Sequence, residues 1–104
     1  MANPRIEPLK KVLAMDLNDE VAWFGLGKAY MEDANFAEAI TALESCIRVK
    51  PTYSAAYLAL AQSLQKSGRI EQCRQVCQQG IDVSTRNGDA MVTKNLELLT
   101  QSLG

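Results

Sequence analysis

The chain has 104 residues, 47% of them hydrophobic and 22% charged, with a formal net charge of −1 and no histidine. That length suits one domain with a single core. Near-neutral charge argues against a nucleic-acid ligand, which wants a basic stripe, and no apolar run approaches the ~18 residues that cross a membrane.

The N-terminal run from Met1 to Pro8 lacks the apolar core of a signal peptide, so a cytoplasmic protein is expected. A first helix is predicted within residues 4–17, regular from Pro8 because proline has no backbone donor. Its inner stripe reads Ile6, Leu9, Val12, Leu13 and Leu17. Asn18 or Asp19 then caps a second helix that runs to about Asp33. In it, Trp23, Leu26, Gly27 and Tyr30 are spaced i, i+3, i+4 and i+7, which places them on one face. Gly27 has no side chain, so a second helix can approach closely there, with Ala39 as the facing small residue.

Asn35 followed by Glu38 reads as a capping box that starts the next helix at Phe36. Pro51 ends it, because the residue before a proline is pushed out of helical geometry. Thr52 is the predicted cap of a helix from Tyr53 to Lys66, and Ser67-Gly68 is the predicted turn after it. Another helix is expected from Ile70 to Val83. Arg86-Asn87-Gly88-Asp89 reads as a loop, with Asp89 capping a last helix to Leu103.

The series Trp23, Leu26, Gly27, Tyr30, Ala39, Leu43 and Pro51 resembles the tetratricopeptide repeat, a helix-turn-helix unit of about 34 residues with the signature W-x2-L-G-x2-Y, A-x3-F, P. Only Leu43 departs, where the family prefers Phe. Shifting the chain by one repeat lays Trp23 on Tyr57, Leu26 on Leu60, Gly27 on Ala61, Ala39 on Cys73 and Leu43 on Cys77. Thr85 falls where the first unit has its closing proline. The resemblance implies an all-α single domain of antiparallel helix-turn-helix repeats with about five helices. Its parts would be an N-terminal helix at 4–17, repeats at 20–51 and 54–85, and a capping helix at 89–103.

No catalytic constellation is legible. The carboxylates Asp16, Asp19, Glu20, Glu32 and Asp33 lie at helix ends, where capping or solvated acids are ordinary, and no phosphate-binding glycine loop is present. Cys73 and Cys77 share a helix face, but zinc wants about four ligands, so both read as small core residues. No enzyme, cofactor or metal is expected. An odd count of three cysteines without a secretion signal fits reduced thiols.

What the resemblance implies is a binding surface. Family leading helices line a concave groove, which here would carry Val21, Phe24, Lys28 and Met31, then Leu58, Gln62 and Gln65, then Val92, Leu96, Leu99 and Leu103. On the last helix, periodicity gives Met91, Asn95, Leu98 and Ser102 as one packing line. It leaves two readings for the apolar line of Val92, Leu96, Leu99 and Leu103, as groove or as a stripe that sinks against the neighbouring helix. Recognition of chaperone C-terminal carboxylates is not expected, because its basic and amide positions hold Phe24, Lys28, Ala59, Asp89 and Thr93. The expected function is a non-catalytic module binding a protein or peptide segment, with homodimerisation through an apolar surface as the alternative.

Overall fold

A computed structural model describes residues 3–104, and Met1 and Ala2 of the N-terminal run lie outside it. It contains six helices, in keeping with the about five expected: α1 Ile6–Met15, α2 Glu20–Glu32, α3 Phe36–Val49, α4 Ser54–Lys66, α5 Ile70–Asn87 and α6 Ala90–Ser102. Each packs on the next in the chain, and α4 also meets both α2 and α6. No Cα atom of α3 comes within 8 Å of one in α5. The leading helices α2, α4 and α6 therefore form the inner, closed side of the array, and the trailing helices splay apart on the outside.

The α2–α3 pair follows from the spaced small residues. A Cβ on Gly27 would lie 2.5 Å from Cγ of Leu43, which is fully buried. The space left by the glycine is thus filled by a leucine side chain on α3, whereas the sequence had suggested an approach of bare backbone at Ala39. Ala29, Ala39 and Leu43 complete a contact with no solvent exposure. In the α4–α5 pair Ala61 and Cys73 take the same places, and the Cys73 thiol donates to the Ala61 carbonyl at 3.2 Å. Cys46, Cys73 and Cys77 are all fully buried. Burial pushes the Cys46 thiol up to about 11 and raises Cys73 as well, with the Cys77 thiol adding to the latter.

Several local expectations change. Helix α1 begins at Ile6, with Pro8 inside its first turn, where a missing N–H leaves no helical bond unmade. Its buried residues are Ile6 and Leu13, while Val12 and Leu17 are 41% and 65% exposed. Asp19 caps α2 by accepting from the Ala22 amide at 2.9 Å. Asn35 accepts from Glu38 N at 3.4 Å, while its own amide donates to the Tyr30 carbonyl, so only half of a capping box forms. Tyr53, not Thr52, is the N-cap of α4.

The largest difference is at α5, which has 18 residues against 14 in α3. Thr85 keeps the backbone donor and the helical geometry that Pro51 denies the first repeat. The helix runs on to Asn87 and is ended by Gly88 at φ +70°, where Asp89 N bonds Ser84 O and Gly88 N bonds Thr85 O. Arg86 and Asn87 are therefore helical, not loop. As a result 34 residues separate the N-caps Asp19 and Tyr53, but 36 separate Tyr53 and Asp89.

Candidate functional site

That two-residue extension decides which face of α6 looks inward. Counting from each N-cap, positions 4, 7, 8 and 11 of a leading helix face its own trailing helix, as Trp23, Leu26, Gly27 and Tyr30 do. At 100° per residue, positions 2, 9 and 13 lie on the opposite side, with 5 and 12 along one edge of it. The inner face so defined consists of Val21, Phe24, Lys28, Met31 and Glu32 on α2, and of Ala55, Leu58, Gln62, Gln65 and Lys66 on α4. On α6 it consists of Met91, Lys94, Leu98, Gln101 and Ser102.

Of the two readings open for the Val92 line, the structure takes the one in which it sinks against its neighbour, not the groove. It leaves the Met91 line, expected to pack, exposed. Leu96 is fully buried: its Cδ1 would lie 2.7 Å from a Cβ on Gly80, and Tyr57 Cβ fills the same space from α4. Val92 is buried beside it, and Leu99 and Leu103 pack half-buried against the core. Met91 and Leu98 are instead 73% and 52% exposed. Gln65 Nε2 lies 3.4 Å from Ser102 Oγ, which places the Met91–Asn95–Leu98–Ser102 line beside the inner face of α4. Leu96 and Leu99 therefore belong to packing, and Met91 and Leu98 are the solvent-exposed apolar residues that the sequence had placed on the packing side. Counting from the Asp89 cap, with no fixed repeat length assumed, would have found them.

The other expected groove residues come together. Phe24 is half-buried with its ring 5.1 Å from that of Tyr53, whose phenol is raised above its ordinary value by burial. Lys28 Nζ stands 6.0 Å from the centroid of the Phe24 ring, within cation–π range. Met31 and Leu58 are half-buried against the core, Gln62 and Gln65 are half-buried, and Val21 is 62% exposed. The carboxylate-tail clamp stays without its residues after the register correction, because Met91 and Asn95 replace Asp89 and Thr93 in it.

Two concavities lie off this face. One of about 300 Å³ sits between α1 and α3 over Trp23, Leu26 and Tyr30. It opens because Ala14 and Ala42 are small where the next junction has Arg48 and Val76. The other, about 370 Å³, lies along α5 and α6 beside Ser84, Asp89, Thr93 and Glu97, with Lys94 at the edge between it and the inner face. There Thr93, Glu97 and Thr100 stand where α2 has Trp23, Gly27 and Tyr30, so α6 presents polar side chains at the places used to pack a trailing helix. At the other end of the array, Asn3 Nδ2 and Arg5 Nη2 both donate to Oε1 of Glu32, tying the N-terminal segment to α2. These bonds, led by that from Asn3, hold the Glu32 carboxyl below its ordinary range. Among the described residues, no cluster of three or more His, Cys, Asp or Glu side chains converges as a metal site would require, and no helix is long and apolar enough to cross a membrane.

Leading helices closed on the inside, trailing helices splayed outside and an inward face of mixed apolar and amide residues define an array of helix-turn-helix repeats with an open groove. The chain belongs to the tetratricopeptide repeat family, whose model matches residues 31–89. It is 31% identical over 98 residues to the TPR repeat-containing protein PA0015 of Pseudomonas aeruginosa, an alignment covering 94% of this chain and 93% of that one. The solution structure of protein BPP2914 from Bordetella parapertussis is similar at a TM-score of 0.81 and 32% identity, over 94% of this chain and 85% of that one. The crystal structure of MamA shares the fold at a TM-score of 0.73 and 19% identity, over 94% of this chain and 64% of that one.

Proposed function

We propose that the chain is a non-catalytic, cytoplasmic protein-interaction module that holds a peptide or helical segment along the inner face of α2, α4 and α6. The carrying observation is that large apolar side chains remain open to solvent there. Val21, Met91 and Leu98 are each more than half exposed, beside half-buried Phe24, Met31 and Leu58. Exposed apolar surface flanked by polar groups usually serves contact, and family membership supports a protein as the partner. Leu58 is the central anchor in this reading, since α4 touches both other leading helices. Truncating an anchor of this kind can cost 2 kcal/mol or more of binding energy.

A pull-down from the source cell tests the reading with the native chain and Leu58→Asp, each checked for a near-native melt. Loss of the same bands with the variant supports the groove, and identical capture by both overturns it. One observation favours a second reading, a homodimer through the N-terminal edge: Val12 and Met15 are 41% and 89% exposed along the open side of α1. Light scattering over a range of concentrations separates the two. A constant monomer mass rules out the homodimer, and a mass that doubles and reverts with Val12→Asp establishes it.

A further inference from the structure

We infer that the cleft between α1 and α3 is a second binding site, separate from the groove, for a small uncharged molecule with an apolar body of about two fused rings. A comparison between the two repeats carries this. Trp23 and Tyr57 occupy equivalent places, and each donates from its polar tip to a carbonyl six residues earlier. Trp23 Nε1 lies 2.7 Å from Leu17 O, and the Tyr57 hydroxyl lies 2.6 Å from Pro51 O. The two rings are covered differently. Tyr57 is 6% exposed, whereas Trp23 is only half-buried and floors the cleft. At the second junction the trailing helices bring Arg48 and Val76, the latter packed against the core, where the first has Ala14 and Ala42. The first repeat thus leaves open an aromatic floor that the same architecture covers one repeat later.

Size and charge select the occupant. A dry apolar cavity of about 150 Å³ takes one benzene ring, and this cleft holds about 300 Å³. Its two charged lining residues, Lys10 from α1 and Glu38 from α3, have opposite signs. Lys10 is raised above its ordinary value by Tyr30 first, then by Glu7, which lies 4.0 Å away, and by Glu38. It is therefore protonated and already answered by acids. An ionic ligand would meet one like charge for each opposite one and give up its own hydration, a cost that a neutral molecule escapes. The polar groups of the lining are in use as well: the Trp23 N–H is bonded to Leu17 O, and the Thr41 hydroxyl donates to Ala37 O at 3.3 Å. The surroundings fit a small molecule better than a protein. No large hydrophobic residue of α3 is exposed, and Leu17 is the one exposed large hydrophobic that lines the cleft. A protein laid across α1 and α3 would meet polar surface around a single hole, without the apolar core that interfaces use.

Trp23 is the only tryptophan, so its indole N–H gives one NMR resonance at the floor of the cleft. Naphthalenemethanol, naphthoate and naphthalenemethylammonium, which share a ring system and differ in charge, are titrated into the full chain. The resonance should shift saturably with the alcohol, at an affinity about tenfold above that of either ion. Backbone amide shifts should gather on Leu13, Leu26 and Ala42. Ala42→Val gives the first repeat the residue of the second, and Ala14→Arg does the same at an exposed position of α1, where a larger side chain does not threaten the fold. With near-native melts, both variants should lose the saturable shift. Absence of that shift in the native chain, its survival in both variants, or amide shifts centred on Leu58 and Gln62 of the groove overturns the cleft as a site. Equal affinity for the three probes overturns its selection of a neutral ligand.

Discussion

The first repeat turns from its leading to its trailing helix through Ala34 at φ +56°, and the second makes the same turn through Gly68 at φ +73°. At the far ends the contrast reverses: Pro51 directly follows Lys50, the C-cap of α3, while α5 passes Thr85 and stops only at Gly88. Each unit thus keeps one turn signal and lacks the other. The strained Ala34 is a local matter, because the backbone bonds around it match those at Gly68. The missing proline acts at a distance. It lengthens a helix, delays the next cap by two residues and rotates α6 so that Leu96 is buried and Leu98 faces the groove.

Exchanging the signals breaks the comparison most sharply. Thr85→Pro inserts a ring into the last turns of α5 and should cost about 3 kcal/mol or more, a large share of the total stability of a small domain. Pro51→Thr lies outside α3 and should cost no more than about 1 kcal/mol. Denaturant melts compare the two, and equal losses would remove the proline as the cause of the differing lengths.

The close approaches come next. Alanine for glycine inside a helix ordinarily gains about 1 kcal/mol of propensity. Here Gly27→Ala would press on Leu43 at 2.5 Å and Gly80→Ala on Tyr57 and Leu96 at 2.7 Å. Both changes should destabilise, by about 1–3 kcal/mol. A rise in melting temperature for either would mean the helices are not so tightly seated. At the shared turn the sign should alternate. Ala34→Gly relieves a left-handed alanine and should stabilise by about 1 kcal/mol, and Gly68→Ala should lose about as much.

Much of this was legible because it is local. Trp23, Leu26, Gly27 and Tyr30 declare their face through spacing alone, and Asp19 and Gly68 mark helix ends by the chemistry of their own positions. The face of α6 was not legible. Met91–Leu98 and Val92–Leu96 are equally periodic, and choosing between them requires the end of α5, which depends on the absence of a stop signal at Thr85. The exposure of Val12 and Leu17 was hidden for a related reason: α1 packs on α2 alone, so a stripe of five apolar residues exceeds what one neighbour can cover. Thr52 failed as a cap because the Tyr53 amide already bonds Lys50 O, placing Thr52 inside a turn.

The smallest expected effect is at the N-terminal tie. The Glu32 carboxyl is lowered in the folded chain, so its contribution is present above the ordinary value of 4.5 and lost as pH falls through the depressed one. Hydrogen exchange in α1 should therefore quicken in acid before the rest of the array responds, and Glu32→Gln should flatten that difference. A uniform acid response across all six helices would show the tie to be inconsequential.

The central claim is that a longer α5 sets the register of α6, and paired denaturant melts of Leu96→Ala and Leu98→Ala test it most directly. The account predicts a loss of about 2–5 kcal/mol for the buried Leu96 and less than about 0.5 kcal/mol for the exposed Leu98. A large loss for Leu98 with a near-native Leu96 variant would contradict it and return the Val92–Leu96 line to the groove.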